Sequence, residues 1–325
     1  MVKVAAVQAS PVWLDAQGTL EKTIAMIEDA GRQDIRMLAF GEVWLPGYPF
    51  SIWLLAPMKA MEVVMRHRAN AIAVDDPEMR AIGDAARRNG VHVSLGYAER
   101  GGSSIYCSLA VIDDAGHLVM NHRKLKPTHM ERTVWGEGAA DDLQVVDTKL
   151  GRVGGLCCWE NMQPINRQGM FQQDEQIHVA VWPSFGMFKG APQAYALSAE
   201  ANMVQSQCYA MQGSCFVLAP SSIIREDQLA DITMGDAFAA QQVFAGGGAA
   251  AVFGPDGRRL TEPLDEHTDG FAIADIDLAQ IEAAKVFADP AGHYNRPDVA
   301  RMVLSRSSNP PTARDEAEEE EETVA

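Results

Sequence analysis

The chain is short of basic residues: 27 Lys and Arg stand against 44 Asp and Glu, for a formal charge of −17 over 325 residues. Nucleic acid is a poor partner for such a chain, because neutralising phosphates requires basic surface. Nor does any stretch approach the roughly 20 uninterrupted apolar residues that span a bilayer, so no membrane association is expected. The apolar run in Met1–Trp13 is too short for a signal peptide and is patterned as a strand, which leads us to expect a cytoplasmic location. Cysteine is sparse as well. Cys107, Cys157, Cys158, Cys208 and Cys215 are odd in number and form no CxxC pair or Cys/His ligand spacing. Neither a disulfide framework nor a metal site is therefore expected, and most of the five should be small buried apolar side chains.

What is present is enough apolar material, 47% of residues, for a sizeable core. Short β-rich runs alternate with longer helical stretches. Val2–Ala9, Arg36–Phe40, Val91–Ala98, Ile105–Ile112, His117–Asn121, Arg152–Trp159, Ile177–Trp182, Ser214–Ala219 and Gly270–Ile276 read as strands. Thr19–Gly31, Pro77–Asn89 with Gly90 as its stop, and Ala194–Gln212 read as helices. Gly254-Pro255-Asp256-Gly257 predicts a hairpin turn between Gly248–Phe253 and Arg258–Glu262. The alternation implies an α/β architecture, and the hairpins imply mixed rather than all-parallel sheets. No internal repeat or linker interrupts residues 1–285, which are expected to form one domain. Residues 286–304 read as a C-terminal extension and 305–325 as an acidic tail. Seven acids, Asp315, Glu316 and Glu318–Glu322, crowd that tail and leave the rest of the chain at about −10. Such a run repels itself and is expected to stay disordered.

Three segments could carry chemistry. Glu42 ends an apolar strand and opens the Pro/Gly-rich aromatic loop Val43–Pro49; strand ends in α/β sheets are where ligands bind. His122–Gly138 packs bases and acids around a strand exit, including Lys124, His129 and Glu131. Gly154–Asn161 carries a glycine-bearing strand into Cys157-Cys158, and a helix is expected from about Asn161. A thiol at such a turn sees a helix N-terminus that favours thiolate, with backbone N–H groups able to hold an oxyanion. Taken singly, these could be a solvated acid, a surface loop of ion pairs and core cysteines. Together they supply a base, a cation and a sulfur nucleophile, a sensible set for attack on a C≡N or C=O carbon.

The three segments resemble, in order, the signature regions of the nitrilase superfamily, separated here by 82 residues from Glu42 to Lys124 and 34 from Lys124 to Cys158. Cys158-Trp159-Glu160, His122–Thr128 with Glu131, Trp135–Gly138 and the Gly292–Asp298 segment resemble the nitrilase branch rather than the amidases. Gly41 departs from the family, whose members commonly carry Pro there. The resemblance implies a four-layer αββα sandwich, Cys158 as nucleophile, Glu42 as general base, Lys124 as the charge-stabilising cation, and Glu131 as a second glutamate beside the thiol. It implies no cofactor. It further implies self-association into a homodimer and a larger spiral, with residues 286–304 as a contact.

The expected reaction converts a small-molecule organic nitrile to a carboxylic acid and ammonia through a thioimidate and a thioester, with amide as a side product if the thiolate leaves first. Crowding of the two glutamates beside Lys124 is expected to raise one of their pKa values towards working pH. Tyr48, His129, Trp159 and Trp182 are the candidate substrate contacts, and an aromatic-rich pocket favours a medium-sized nitrile over cyanide. The competing readings are an amidase of the same superfamily, a catalytically dead scaffold, and a redox protein using Cys157-Cys158, disfavoured because adjacent strand cysteines point apart. Ser51–Asn70 and Ser222–Gln242 carry more apolar surface than loops need, as an interface or a lid over the site would.

Overall fold

A computed structural model describes residues 1–304. In chain order its elements are β1 (Val2–Ala9), α1 (Ala16–Arg32), β2 (Met37–Ala39), α2 (Ser51–Leu54), α3 (Pro57–Ala69), α4 (Pro77–Asn89), β3 (His92–Gly101), β4 (Ser104–Ile112), β5 (Leu118–Arg123), β6 (Val145–Thr148), β7 (Gly151–Cys157), α5 (Pro164–Phe171), β8 (Ile177–Val181), α6 (Ala199–Gly213), β9 (Phe216–Ala219), β10 (Ser221–Ser222), α7 (Leu229–Thr233), β11 (Ala251–Phe253), β12 (Gly270–Ile276) and α8 (Ala279–Lys285).

Two mixed sheets result. The first runs β10-β1-β2-β3-β4-β5, with β12 antiparallel to β1. The second runs β11-β9-β8-β7-β6, parallel at its centre and antiparallel at both edges. The period-2 alternation of the strands sorts their side chains into three apolar layers. Val4 and Ala6 of β1, Ile177 and Val179 of β8, and Phe216 and Leu218 of β9 meet between the sheets. Ala5 and Val7 turn outward onto Leu20 and Ile27 of α1 and Ile82 and Ala86 of α4. Ala180 and Val217 turn outward onto Met170 and Phe171 of α5 and Tyr209 and Ala210 of α6. The stack is therefore α, β, β, α, the expected four-layer sandwich.

The helices over the first sheet are delimited by local chemistry. Asp15 caps α1 by accepting from Gly18 N–H (3.0 Å). Pro77 opens α4, and Gly90 closes it with φ +63°.

Some boundaries differ from the sequence reading. The strand expected over Arg152–Trp159 stops at Cys157, because Cys158 turns into a 3-10 helix over Cys158–Met162 before α5 begins at Pro164. No helix starts at Asn161. The helix expected from Ala194 starts at Ala199; a separate 3-10 turn, Pro192–Leu197, precedes its Ser198 cap. The Gly254–Gly257 turn forms, but its second arm pairs through a single Phe253–Arg259 bridge. Ser51–Asn70 becomes α2 and α3, and Ser222–Gln242 contains α7. Ser51 Oγ donates to Ile232 O (2.6 Å), clipping the two segments together. The acidic run expected to be disordered lies outside the described residues. No helix among those described is long and apolar enough to cross a membrane.

The loop that follows β2 lies tightly on β3. A Cβ at Gly96 would sit 2.1 Å from Gly41 O and 2.9 Å from Val43 N, both backbone atoms that cannot swing aside. Gly96→Ala should therefore push the Gly41–Val43 backbone outward and cost about 1–3 kcal/mol, the usual size of overpacking. Urea unfolding measures that loss, and specific activity should fall with it because Glu42 rides on the displaced backbone.

Candidate active site

β2, β3 and β5 run in one direction within their sheet, as do β7 and β8 within theirs. Glu42, Lys124 and Cys158 each sit just beyond the carboxyl end of one of these strands, at the seam where the sheets are joined by backbone. Glu42 N–H donates to Trp182 O (3.0 Å), and Trp182 N–H donates to Pro220 O (3.1 Å). Gly41 has no room for a ring at this seam, since a Cβ there would lie 2.8 Å from Trp182 O. The absence of Pro at position 41 thus has a steric reason in this chain.

At the centre is a buried cation between two carboxylates. Lys124 Nζ donates to Glu42 Oε1 (2.8 Å) and Glu131 Oε2 (2.7 Å), with all three side chains buried. Burial opposes the ammonium charge, but Glu131 and Glu42 outweigh it and hold the Lys124 pKa well above its usual range. Lys126, by contrast, is exposed and pairs with Glu137.

The two glutamates differ in how completely they are engaged. Glu131 lies on the 3-10 turn His129–Thr133, where its side chain reaches back to the Thr128 N–H at the start of the turn. Its Oε2 accepts from Lys124 and from Thr128 N–H (2.6 Å), and its Oε1 accepts from Tyr48 O–H (2.7 Å). Glu42 uses only Oε1, which also accepts from the Cys107 thiol (3.5 Å). Its Oε2 is buried with no partner. Burial, with Glu131 nearby and Lys124 opposing, raises the Glu42 pKa to about 7.

Cys158 stands at φ +50°, a backbone region that non-glycine residues rarely occupy. Asn161 holds the turn, its Nδ2 donating to Cys158 O (2.9 Å) and Leu156 O (3.1 Å). Asn161 is oriented in turn by His178 (2.7 Å), which bonds Glu175, which accepts from Tyr209 O–H (2.6 Å). Burial, reinforced by Glu42, raises the Cys158 thiol pKa well above its usual value despite Lys124 and the Trp159 N–H. The resting group is a thiol, contrary to the thiolate expected from a helix N-terminus. The five-residue 3-10 turn supplies one N–H, not an α-helical dipole. Cys158 is 9% exposed and lines a cavity, whereas Cys107 and Cys157 are 0% exposed and do not.

A second pair, without an expected role, ties the lysine loop to the cysteine turn. Glu160 accepts from Leu125 N–H (2.7 Å) and Cys157 N–H (2.9 Å), and His122 Nε2 donates to it (2.8 Å). Burial works against both charges, but their mutual attraction wins. His122 is raised to about 10 and Glu160 is held below the usual carboxylate range. The signal was their symmetry: His122 lies two residues before Lys124, and Glu160 two after Cys158.

The cavity beside Cys158 measures about 60 Å³, and a second cavity of about 350 Å³ shares Phe185 and Met187 with it. Of the expected substrate contacts, Tyr48, Trp159 and Trp182 line it. His129 does not; its ring stacks on Trp53 (5.5 Å between centroids), and Trp53 takes the lining position. Leu197 and Asn202 also line the cavity. They come from a segment with no motif, so only folding brings them there. Among the described residues, two groups place possible metal-ligand atoms within 4.8 Å, Glu42–Cys107–Cys157 and His122–Cys157–Glu160. The carboxylate of each is already engaged, by Lys124 and by His122.

A model of the carbon-nitrogen hydrolase family matches residues 3–286. The chain belongs to that family. It is 45% identical to a nitrilase from Pseudomonas syringae pv. syringae (strain B728a) over 309 residues, covering 95% of this chain and 91% of the relative. It is 43% identical to an arylacetone-specific nitrilase from Alcaligenes faecalis, covering 97% and 87%. The crystal structure of a carbon-nitrogen hydrolase from Helicobacter pylori G27 shares the fold at 16% identity, with a TM-score of 0.74 over 93% of this chain and 99% of that one.

In this hydrolase the His122–Glu160 pair makes a test of the clamp. Glu160→Ala should strand a buried imidazolium and two N–H groups, costing about 3–5 kcal/mol in chemical denaturation. Glu160→Gln, which can still accept from both N–H groups, should cost less.

Proposed function

We propose that this carbon-nitrogen hydrolase is a nitrilase in which Cys158 is the nucleophile, Glu42 the general base, Lys124 the charge stabiliser and Glu131 the residue that orients Lys124. The observation that carries the base assignment is the unpartnered Glu42 Oε2, on a carboxyl raised to about 7. Glu131 has both oxygens occupied, which favours an orienting role over a basic one.

The Cys158 thiol proton passes to Glu42 as sulfur bonds the nitrile carbon. Glu42 hands that proton on to the nitrile nitrogen, so a thioimidate forms and Glu42 is again a base. Lys124 and the Trp159 N–H stabilise the charge that develops on nitrogen. Glu42 then deprotonates a water that adds to the thioimidate carbon. Protonation and departure of ammonia leave a thioester, and a second water releases the acid and restores the thiol. Departure of sulfur in place of ammonia gives the amide, and a difference of about 1.4 kcal/mol between the two exits changes their ratio tenfold. The apolar cavity lined by Tyr48, Trp53, Trp159, Trp182 and Phe185 supports a medium-sized organic nitrile as substrate.

We propose that residues 1–285 form the catalytic domain and that the chain works in the cytoplasm as a homodimer or larger spiral. Exposed Met58, Met61 and Met65 on α3, and Tyr294, Val299 and Val303 in the extension, supply apolar surface for such contacts.

Ammonia release from a panel of nitriles tests the activity, with the matching carboxamides as controls for an amidase. Cys158→Ala should abolish release and Cys157→Ala should retain most of it. Glu42→Gln, Lys124→Ala and Glu131→Gln should each lower kcat/KM by about 100-fold or more. Because protonation removes the base, kcat/KM for the native chain should fall as pH drops below about 7. Light scattering on a sizing column should find at least twice the 35.3 kDa chain mass. A fully active monomer at micromolar concentration would refute the assembly, and removal of residues 310–325 should change neither size nor activity.

A further inference from the structure

Cys107 lies in the middle of β4, 0% exposed, between the two sheets. Core packing would account for its burial but not for its bonds. Its carbonyl accepts from Lys124 N–H (2.8 Å), fixing the backbone that carries the ammonium. Its thiol donates to Glu42 Oε1 (3.5 Å), the oxygen that also accepts from Lys124 Nζ. Its sulfur lies within 4.8 Å of the Cys157 sulfur, one residue from the nucleophile. No other described side chain donates to Glu42 besides Lys124.

The geometry points to Cys107 as a positioning residue for the base. By donating to Glu42 Oε1, it biases the carboxyl towards the rotation that leaves Oε2 free for the nucleophile's proton. It also favours the ionised form that must accept that proton. This inference rests on Glu42 being the base. Two donors share Oε1, so the lone pairs left for proton transfer belong to Oε2. An S–H is a weak donor, and the Cys107 thiol stays protonated: burial, with Cys157 and Glu42 beside it, raises its pKa well above the usual value. A weak permanent donor stabilises the carboxylate without tying it down as Lys124 and Tyr48 tie down Glu131.

The groups that face Glu42 from all sides are Lys124 beyond β5, Glu131 on its 3-10 turn, Tyr48 on the loop after β2, Cys107 on β4, and Cys157 and Cys158 at the end of β7. Of the two side chains that donate to Glu42, Lys124 and Cys107, only Cys107 can be changed without altering a charge or a group that meets the substrate. Losing a donor to the ionised form of a carboxyl raises its pKa, and a stronger donor lowers it.

The test is the acid limb of the kcat/KM profile for nitrile hydrolysis in the full chain, which reports the base of the free enzyme. Cys107→Ala should move that limb to higher pH by roughly 0.5–1 unit, the size of one weak hydrogen bond to a charged acceptor. Cys107→Ser, a stronger donor, should move it to lower pH. Circular dichroism and unfolding curves identify either variant that fails to fold, and Cys107→Thr then takes the place of a misfolded serine variant as a hydroxyl donor. Opposite shifts support the assignment. A limb that stays put, or that moves the same way in both variants, overturns it, since a purely structural residue would not distinguish a donor from a non-donor. Glu42→Gln separates the two levels. If it keeps both native kcat/KM and the acid limb, the base assignment falls and takes this one with it. If it loses activity while the Cys107 variants leave the limb in place, only the role of Cys107 falls.

Discussion

A lysine ammonium buried between two carboxylates is the constraint around which this molecule is organised. One cation cannot neutralise two acids, so the cluster of Lys124, Glu42 and Glu131 holds an excess of negative charge in a place where water cannot screen it. That excess is relieved on the carboxyl with the fewest hydrogen bonds. Glu131, fully partnered, takes no further proton donor, whereas Glu42 is left with a free oxygen and a pKa raised to about 7. The same negative field, added to burial, keeps the nearby Cys158 as a thiol.

Charges so buried are useful only if they cannot drift, and much of the surrounding polar structure prevents that. His122 and Glu160 fasten the lysine loop to the cysteine turn, and Asn161 holds Cys158 in its strained backbone form with His178, Glu175 and Tyr209 behind it. Arg167 of α5 joins this framework by donating to Asn161 O and to Gln205 and Gln212 of α6. The outer helical layer on that side is thereby joined to the Cys158 turn. Interactions of this kind contribute little as isolated surface pairs, but buried and shared they fix one geometry.

The segment after Glu42 divides its surface between two tasks. Tyr48, Phe50 and Trp53 face the cavity, and Trp53 donates to the Tyr48 hydroxyl that in turn bonds Glu131. The first part of Ser51–Asn70 therefore closes over the site, as a lid would. α3 turns Met58, Met61 and Met65 outward instead. The fold thus gives the two halves of one apolar segment different faces.

The segments carrying Glu42, Lys124 and the Cys157-Cys158 pair stood out in the sequence because each sits beside local punctuation, a strand end, a glycine pair or a Pro/Gly loop, while the choice of Cys158 and the role of Glu131 came from the family resemblance. Strand and helix periods made the layered α/β architecture legible, since alternation of Val, Ile and Ala along β1, β8 and β9 is itself the pattern of two buried faces. The sequence could not tell whether Cys157 or Cys158 leaves the strand, because that depends on a left-handed turn held by an asparagine and a histidine some distance away. Residue type alone could not separate the two glutamates; the family resemblance did so, and the structure supplies the physical difference, which lies in how many donors surround each. Roles for Cys107, Glu160, Leu197 and Asn202, and the displacement of His129 by Trp53, followed only from folding. Sequence patterns report a residue's neighbours along the chain, whereas hydrogen bonds, burial and pKa depend on neighbours in space, and in this site nearly all of those come from other strands and loops.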